Sequence, residues 1–383
     1  MSLNVQLSRR ITLDGLDPVN ATRNLIKFIN LGVGEDRNVA LGYKSQVKFD
    51  KKNLIGYNIG IGYECLYYNS TSQYNVGIGY ECLRGGESAD GGTVDTNLFT
   101  GSHSNVAIGY QCGQFVGSGA ENNVLIGFEC AKATTSHKFI GNSNTYIGYK
   151  CGLINTSGSE NVGIGTNCLD SNTTGNKNVA IGKESLKSLV GGEANVAIGY
   201  KSLENVANNN LNVAIGDFCG QNFNNTTALH GHTFNVFIGH QCGQSLNSSN
   251  TLNTGILNTY VGAQCGHHNT SGSSNVGIGT QCYQENEMSG DDNVAIGHNA
   301  LQENTSGGQN TAIGRNALNA NQTGNSNVAV GLMTLNANSS VDLYTQGDIS
   351  LNATGFESTA LGQMELSVSK SGDTNANVLP KIE

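Results

Sequence analysis

The phrase Asn75-Val76-Gly77-Ile78-Gly79 returns, with small changes, along almost the whole chain. Anchored on its closing glycine, it falls at Gly42, Gly62, Gly79, Gly109, Gly127, Gly148, Gly165, Gly182, Gly199, Gly216, Gly239, Gly262, Gly279, Gly297, Gly314, Gly331 and Gly362, seventeen units in all. The basic step is 17 residues, as from Gly148 to Gly165 to Gly182. Longer steps between Gly79 and Gly109, around Gly239, and between Gly331 and Gly362 mark insertions. A unit this short cannot bury an apolar face alone. Stacked units can, because each covers the next.

Within a unit the slots are strict. Four residues before the glycine stands Asn, with Ser358 the departure in the last unit. Three before is Val, Ile or Thr, and one before is Ile, Leu or Val. Aliphatic residues at i and i+2 share one face of a strand, and no helical i, i+3, i+4 stripe survives the Gly and Asn content. The residue between them is small in most units, as at Gly77 and Ala180, with Leu125, Tyr146, Phe237 and Tyr260 as exceptions. The expectation is a strand whose Val/Ile pair faces the core and whose small residue permits close approach on the other side. In the representative units, Asn75, Val76, Ile78, Gly79 and Cys82, and Asn178, Val179, Ile181 and Gly182, are the expected structural repeat core. A polar turn such as Asn172 to Gly175 follows each strand, and Asn and Gly are expected to supply its left-handed backbone. Aligned Asn side chains are expected to form an amide ladder.

The fold class read from this pattern is an all-β β-solenoid of about seventeen repeats. The domain organisation expected is residues 1–30 as an N-terminal cap or attachment segment, 31–335 as the solenoid, and 336–383 as a degenerate last repeat with a C-terminal cap or tail. Composition agrees. Charged residues make up 13%, against roughly 25% in ordinary domains, and there are 52 Gly and only 2 Pro. The regularly placed Val and Ile argue against disorder. The net charge of −9 has no basic stripe, which argues against nucleic-acid binding.

All ten cysteines stand three residues after an anchor glycine. Other units hold Ser45, Ser185, Ser202, Ala300, Ala317 or Thr334 there, with Glu365 the exception in the last unit, so the slot selects small volume, and packing is the favoured reading. Disulfides between coils and a metal stack are the alternatives, and neighbouring coils would bring some pairs within bridging range.

The stretch Asn310–Gly331, NTAIGRNALNANQTGNSNVAVG, resembles the head repeats of trimeric autotransporter adhesins. Versions near this length resemble repeats in phage and algal-virus tail-fibre and spike proteins. The resemblance covers roughly residues 38 to 335. It implies a left-handed β-roll, a side-by-side homotrimer, an inward-pointing Val/Ile pair and small residues where chains meet. The opening MSLNVQLSRRITLDG has no long apolar run, so no secretory leader is expected, and no stretch has the length of a membrane helix. On that ground the viral reading is favoured over a bacterial surface adhesin.

Few residues suggest chemistry. His230 and His232, in the insertion before Asn235, could supply imidazoles to a metal on a three-fold axis; two solvated loop histidines is the plainer reading. His267 and His268, being adjacent, are weaker candidates. Tyr43, Tyr63, Tyr80, Tyr110, Tyr149 and Tyr200 directly follow their glycines. They could form a ladder for glycan stacking, but packing at the edge of the roll is favoured. No nucleophile triad, phosphate loop or carboxylate pair stands out, so no enzymatic activity and no cofactor are expected.

The function expected is therefore a virus or phage fibre or spike protein mediating host-surface attachment. Insertions 84–104 and 221–234 are the candidate contact loops for a host glycan or protein. The N-terminal segment would meet other virion proteins, without membrane insertion. The location expected is the virion, or else the extracellular or cell-surface space. The alternative is a monomeric solenoid binding a repetitive ligand such as ice or polysaccharide.

Overall fold

The computed structural model describes residues 38–45, 56–67, 72–85, 101–134, 138–222, 233–244, 255–284, 288–336 and 349–350 of the 383-residue chain. The insertions at 86–100 and 223–232 lie outside these residues, as do His230 and His232. The chain divides into units Met1–Asn352 and Ala353–Glu383, and every described residue belongs to the first.

That unit is an all-β parallel β-solenoid, with no helix among the described residues. Strand β1 (Val39–Leu41) is followed by five strands of five residues: β2 (Ile59–Tyr63), β3 (Val76–Tyr80), β4 (Val106–Tyr110), β5 (Val124–Phe128) and β6 (Thr145–Tyr149). Three-residue strands come next: β7 (Val162–Ile164), β8 (Val179–Ile181), β9 (Val196–Ile198), β10 (Val213–Ile215) and β11 (Val236–Ile238). They continue through β12 (Thr259–Val261), β13 (Val276–Ile278), β14 (Val294–Ile296), β15 (Thr311–Ile313) and β16 (Val328–Val330). The last strand, β17, is Ile349–Ser350. Each strand pairs in parallel with the next in sequence, forming one sheet. Register survives the insertions: Val76 lies against Val106 and Ile78 against Ile108 across a 30-residue step.

Sixteen strands stand where the repeat phrase places them. The seventeenth does not. The unit anchored on Gly362 lies outside the described residues, and β17 forms where no repeat phrase occurs.

The expected polarity of the strand is reversed. In β3, Gly77 is buried while Val76 and Ile78 are half-exposed; in β8, Ala180 is buried while Val179 and Ile181 are half-exposed. The small residue therefore faces the coil interior and the Val/Ile pair faces outward. Alternation along a strand fixes that these residues part, but not which side is inside. Volume decides it. The opposite wall already fills the interior with Cys82 and Leu83, or Ser185 and Leu186, all fully buried. A narrow coil has room for those side chains only if the strand contributes Ala or Gly.

The four bulky exceptions obey the same limit. Leu125, Tyr146, Phe237 and Tyr260 are buried in that inner slot, and their own coils replace the buried leucine with Ala131, Gly152, Gly243 and Gly266. Interior volume is exchanged between the two walls, as close packing requires.

A column of asparagines lines the start of the strands. The backbone N–H of each donates to the Oδ1 of the asparagine one coil before, at every step from Asn38 to Asn327, over 2.8–3.2 Å. The Asn178 Nδ2 also donates to Asn161 Oδ1 at 3.1 Å and to the Gly192 carbonyl at 2.8 Å. These amides are buried, and the ladder gives their donors the partners that burial demands.

The bends differ from expectation. Leucines and charged residues take much of the left-handed backbone: Glu64 has φ 50°, Leu66 53°, Leu169 51° and Leu301 49°. A left-handed non-glycine residue costs about 1–2 kcal/mol, and burying its leucine side chain returns about 1.5–3 kcal/mol. Gly175 is not left-handed; Asn172 Oδ1 instead accepts its N–H at 2.9 Å, closing the Asn-x-x-Gly turn.

Candidate functional site

Three features could carry function: the outward sheet face, the aromatic ladder beside it, and the interior cysteine column.

The outward face is built by strand alternation and by register. Because the strands pair in register, like residues stack, and the Val/Ile pair becomes two parallel aliphatic rows. Ile164 is 38% exposed, Ile215 37% and Ile278 43%. Sixteen strands at about 4.8 Å make these rows roughly 75 Å long and about 7 Å wide. That footprint is on the order of 500 Å², the size of the largest apolar patch of an ordinary monomer, which is often functional. Val76, Ile78, Val179 and Ile181 belong to this face. Asn75, Cys82 and Asn178 are fully buried inside the coil. Gly79 and Gly182 hold φ at 129° and 130°, where a Cβ would strike the glycine carbonyl of the next coil.

In the first six coils a third row joins the face. Tyr43, Tyr63, Tyr80, Tyr110, Phe128 and Tyr149 stack ring on ring, with centroids 4.8–5.3 Å apart. All are exposed. The five-residue strands β2 to β6 each end on one of these rings, whereas three-residue β7 to β16 lack the row. Tyr200 instead meets Phe218 edge-on at 5.1 Å. Since each ring covers the face of its neighbour, the ladder presents mainly ring edges and hydroxyls outward. Flat stacking of a sugar on a ring face is thereby disfavoured.

The cysteines stack in the interior, and all ten are buried. Cys65 donates to the Gly79 carbonyl at 3.1 Å and Cys82 to the Gly109 carbonyl at 3.1 Å. Cys265 and Cys282, one coil apart, form a disulfide, with Cα atoms 4.7 Å apart. For that pair packing is not the whole account. Among the described residues no group of three or more His, Cys, Asp or Glu side chains is placed to hold a metal.

His267 is nearly buried, and neither ring nitrogen has a hydrogen-bond partner. Burial first, then the neighbouring His268 and His240, pull its pKa down to about 4. His268 lies edge-on to it at 4.5 Å.

The sequence reading missed the outward aliphatic face, and it ranked disulfides between coils, which Cys265 and Cys282 form, below packing. The four bulky inner-slot residues, each paired with a missing leucine, were the signal that could have revealed the inside of the coil. Among the described residues no helix is long and apolar enough to cross a membrane. No family model, curated protein or solved structure matches this chain.

Proposed function

We propose that this protein is a structural fibre or spike of a virus or phage, that three copies associate side by side through the outward Val/Ile face, and that the assembly attaches to a host surface. The observation that carries the reading is the exposed aliphatic double row, from Val76 and Ile78 through Ile164 and Ile215 to Ile313. A continuous apolar face of that length suits a partner, and another copy of the same face has the same spacing along its whole length. The resemblance of Asn310–Gly331 to adhesin head and tail-fibre repeats supports three parallel copies, a left-handed roll and one coil for each of the seventeen sequence repeats. Attachment is assigned to the insertions 84–104 and 221–234, because insertions in a solenoid gather on exposed faces.

Light scattering on the full chain tests the association. A mass three times 40.1 kDa is the expected result, and a single-chain mass sinks it. A monomer would favour the second reading, a solenoid whose regular face meets a repetitive ligand such as ice or polysaccharide. Thermal hysteresis and polysaccharide pull-down would then be the measurements to make.

A further inference from the structure

We propose that the cysteine column is a set of five inter-coil disulfide sites: Cys65–Cys82, Cys112–Cys130, Cys151–Cys168, Cys219–Cys242 and Cys265–Cys282. The proposal is independent of how many copies associate.

Register comes first. Leu66 N–H donates to the Cys82 carbonyl, Gly113 N–H to that of Cys130, Gly152 N–H to that of Cys168 and Gly220 N–H to that of Cys242. Each cysteine therefore lies directly over the next. In-register coils put successive Cα atoms about 4.8 Å apart, inside the span a disulfide bridges.

Arithmetic comes second. The column has two unbroken runs, six cysteines from Cys65 to Cys168 and four from Cys219 to Cys282. Ser45 precedes the first run, Ser185 and Ser202 separate the two, and Ala300 ends the second. Both runs are even. A cysteine within a run can pair with the coil before or after, but only one phase pairs all ten. The other phase would join Cys82 to Cys112, Cys130 to Cys151 and Cys242 to Cys265, leaving four thiols over.

The third observation favours the complete phase at two of its pairs, although Cys82 also contacts Cys112 and Cys151 also contacts Cys130. The Cys265–Cys282 bond belongs to the complete phase. So does the close approach of the Cys151 and Cys168 sulfurs, 2.9 Å apart. The reduced coil is also satisfied, since Cys219 donates to the Phe237 carbonyl at 3.2 Å. The column therefore packs in either state.

Oxidation by a low-molecular-weight disulfide balances as follows. One cysteine thiolate attacks the reagent disulfide and releases one reagent thiol. The neighbouring cysteine then attacks the protein sulfur of the mixed disulfide and releases the second. Two S–H bonds are lost and one protein S–S bond forms; two electrons and two protons end on the two reagent thiols. Every cysteine is fully buried, so the exchange requires an open coil. Cys82 also resists ionisation: the hydrogen bond with Cys112, followed by burial, pushes its pKa up to about 12. The column thus keeps the redox state in which its coils closed.

The test is to unfold and reduce the full chain, refold it with oxidised glutathione, alkylate under denaturing conditions, and map linked peptides by mass spectrometry. Links confined to the five named pairs are expected. A Cys82–Cys112, Cys130–Cys151 or Cys242–Cys265 link, or ten alkylated cysteines in the refolded chain, would overturn the proposal. A Cys151→Ser variant guards against misfolding, because serine already fills this slot at Ser185 and Ser202. It should leave Cys168 alkylated and the other four pairs linked; an alkylated Cys130 would count against the phase.

Discussion

Gly243 lies against the ring of Phe237: a Cβ at Gly243 would fall 2.6 Å from Phe237 Cδ1. Most other coils carry a small residue in the strand and leucine on the facing wall. The two positions therefore share one volume. Phe237→Ala alone should cost about 3–5 kcal/mol by leaving a cavity. Gly243→Leu alone should be similarly damaging through overpacking. The double variant should recover at least half of the summed loss, because Leu301 and Leu318 occupy the same slot opposite alanine. Denaturant midpoints of the four proteins give the coupling, and additive losses would contradict shared volume.

Asn178→Ala tests the amide ladder. It removes the acceptor of the Asn195 N–H at 2.9 Å and the donor to the Gly192 carbonyl. Buried groups left unpaired cost about 1–3 kcal/mol each, so a loss of about 2–4 kcal/mol is expected. Hydrogen exchange should show faster opening centred on residues 178–195. A change spread evenly over the solenoid would not fit a local ladder defect.

Gly79→Ala and Gly101→Ala separate steric need from backbone freedom. At Gly79, with φ 129°, a Cβ would collide with the Gly109 carbonyl oxygen; at Gly101, with φ 68°, nothing lies within 4 Å. The first variant should lose the local coil fold. The second should cost about 1–2 kcal/mol, the left-handed penalty alone. Circular dichroism with thermal melting distinguishes them.

Ile215→Lys places a charge on the outward face without touching the coil interior. Since Ile215 is 37% exposed, the single-chain fold should change by less than about 1 kcal/mol. The proposed association should weaken at least tenfold, because a buried unpaired charge opposes it. Sedimentation at several concentrations is the measurement, and unchanged association would remove this face from the interface.

His267 should make stability fall on acidification. Its folded pKa is about 4, below the ordinary 6.5, because burial and two nearby histidines disfavour the charge. Above pH 7 it is neutral in both states and contributes nothing. Between about 6.5 and 4 the unfolded chain binds a proton that the folded chain refuses, so stability drops as pH falls through that window. A His267→Gln variant should show a shallower decline over the same range in denaturant midpoints. Parallel curves would exclude His267 as a source.

Much of the architecture was legible from the chain alone, because register in a solenoid is a one-dimensional property. The spacing of Asn75, Asn105 and Asn123 ahead of their glycines points to seventeen strands, of which sixteen stand at their phrases, and to the stack of like on like. The need for glycine at Gly79 and for a small residue at Cys82 could be read the same way. Which side of the strand faces inward could not. Val76 and Ile78 satisfy the alternation equally well pointing in or out, and only the room left by Cys82 and Leu83 across the coil sends them outward. The leucines in left-handed bends were hidden for a similar reason, since the burial that offsets their strain exists only once coils stack. The partner of each cysteine is likewise a property of the assembled column. Sequence fixed its place in the repeat; the tertiary stack decided that Cys265 meets Cys282, because only there do residues 17 apart come within a bond of each other.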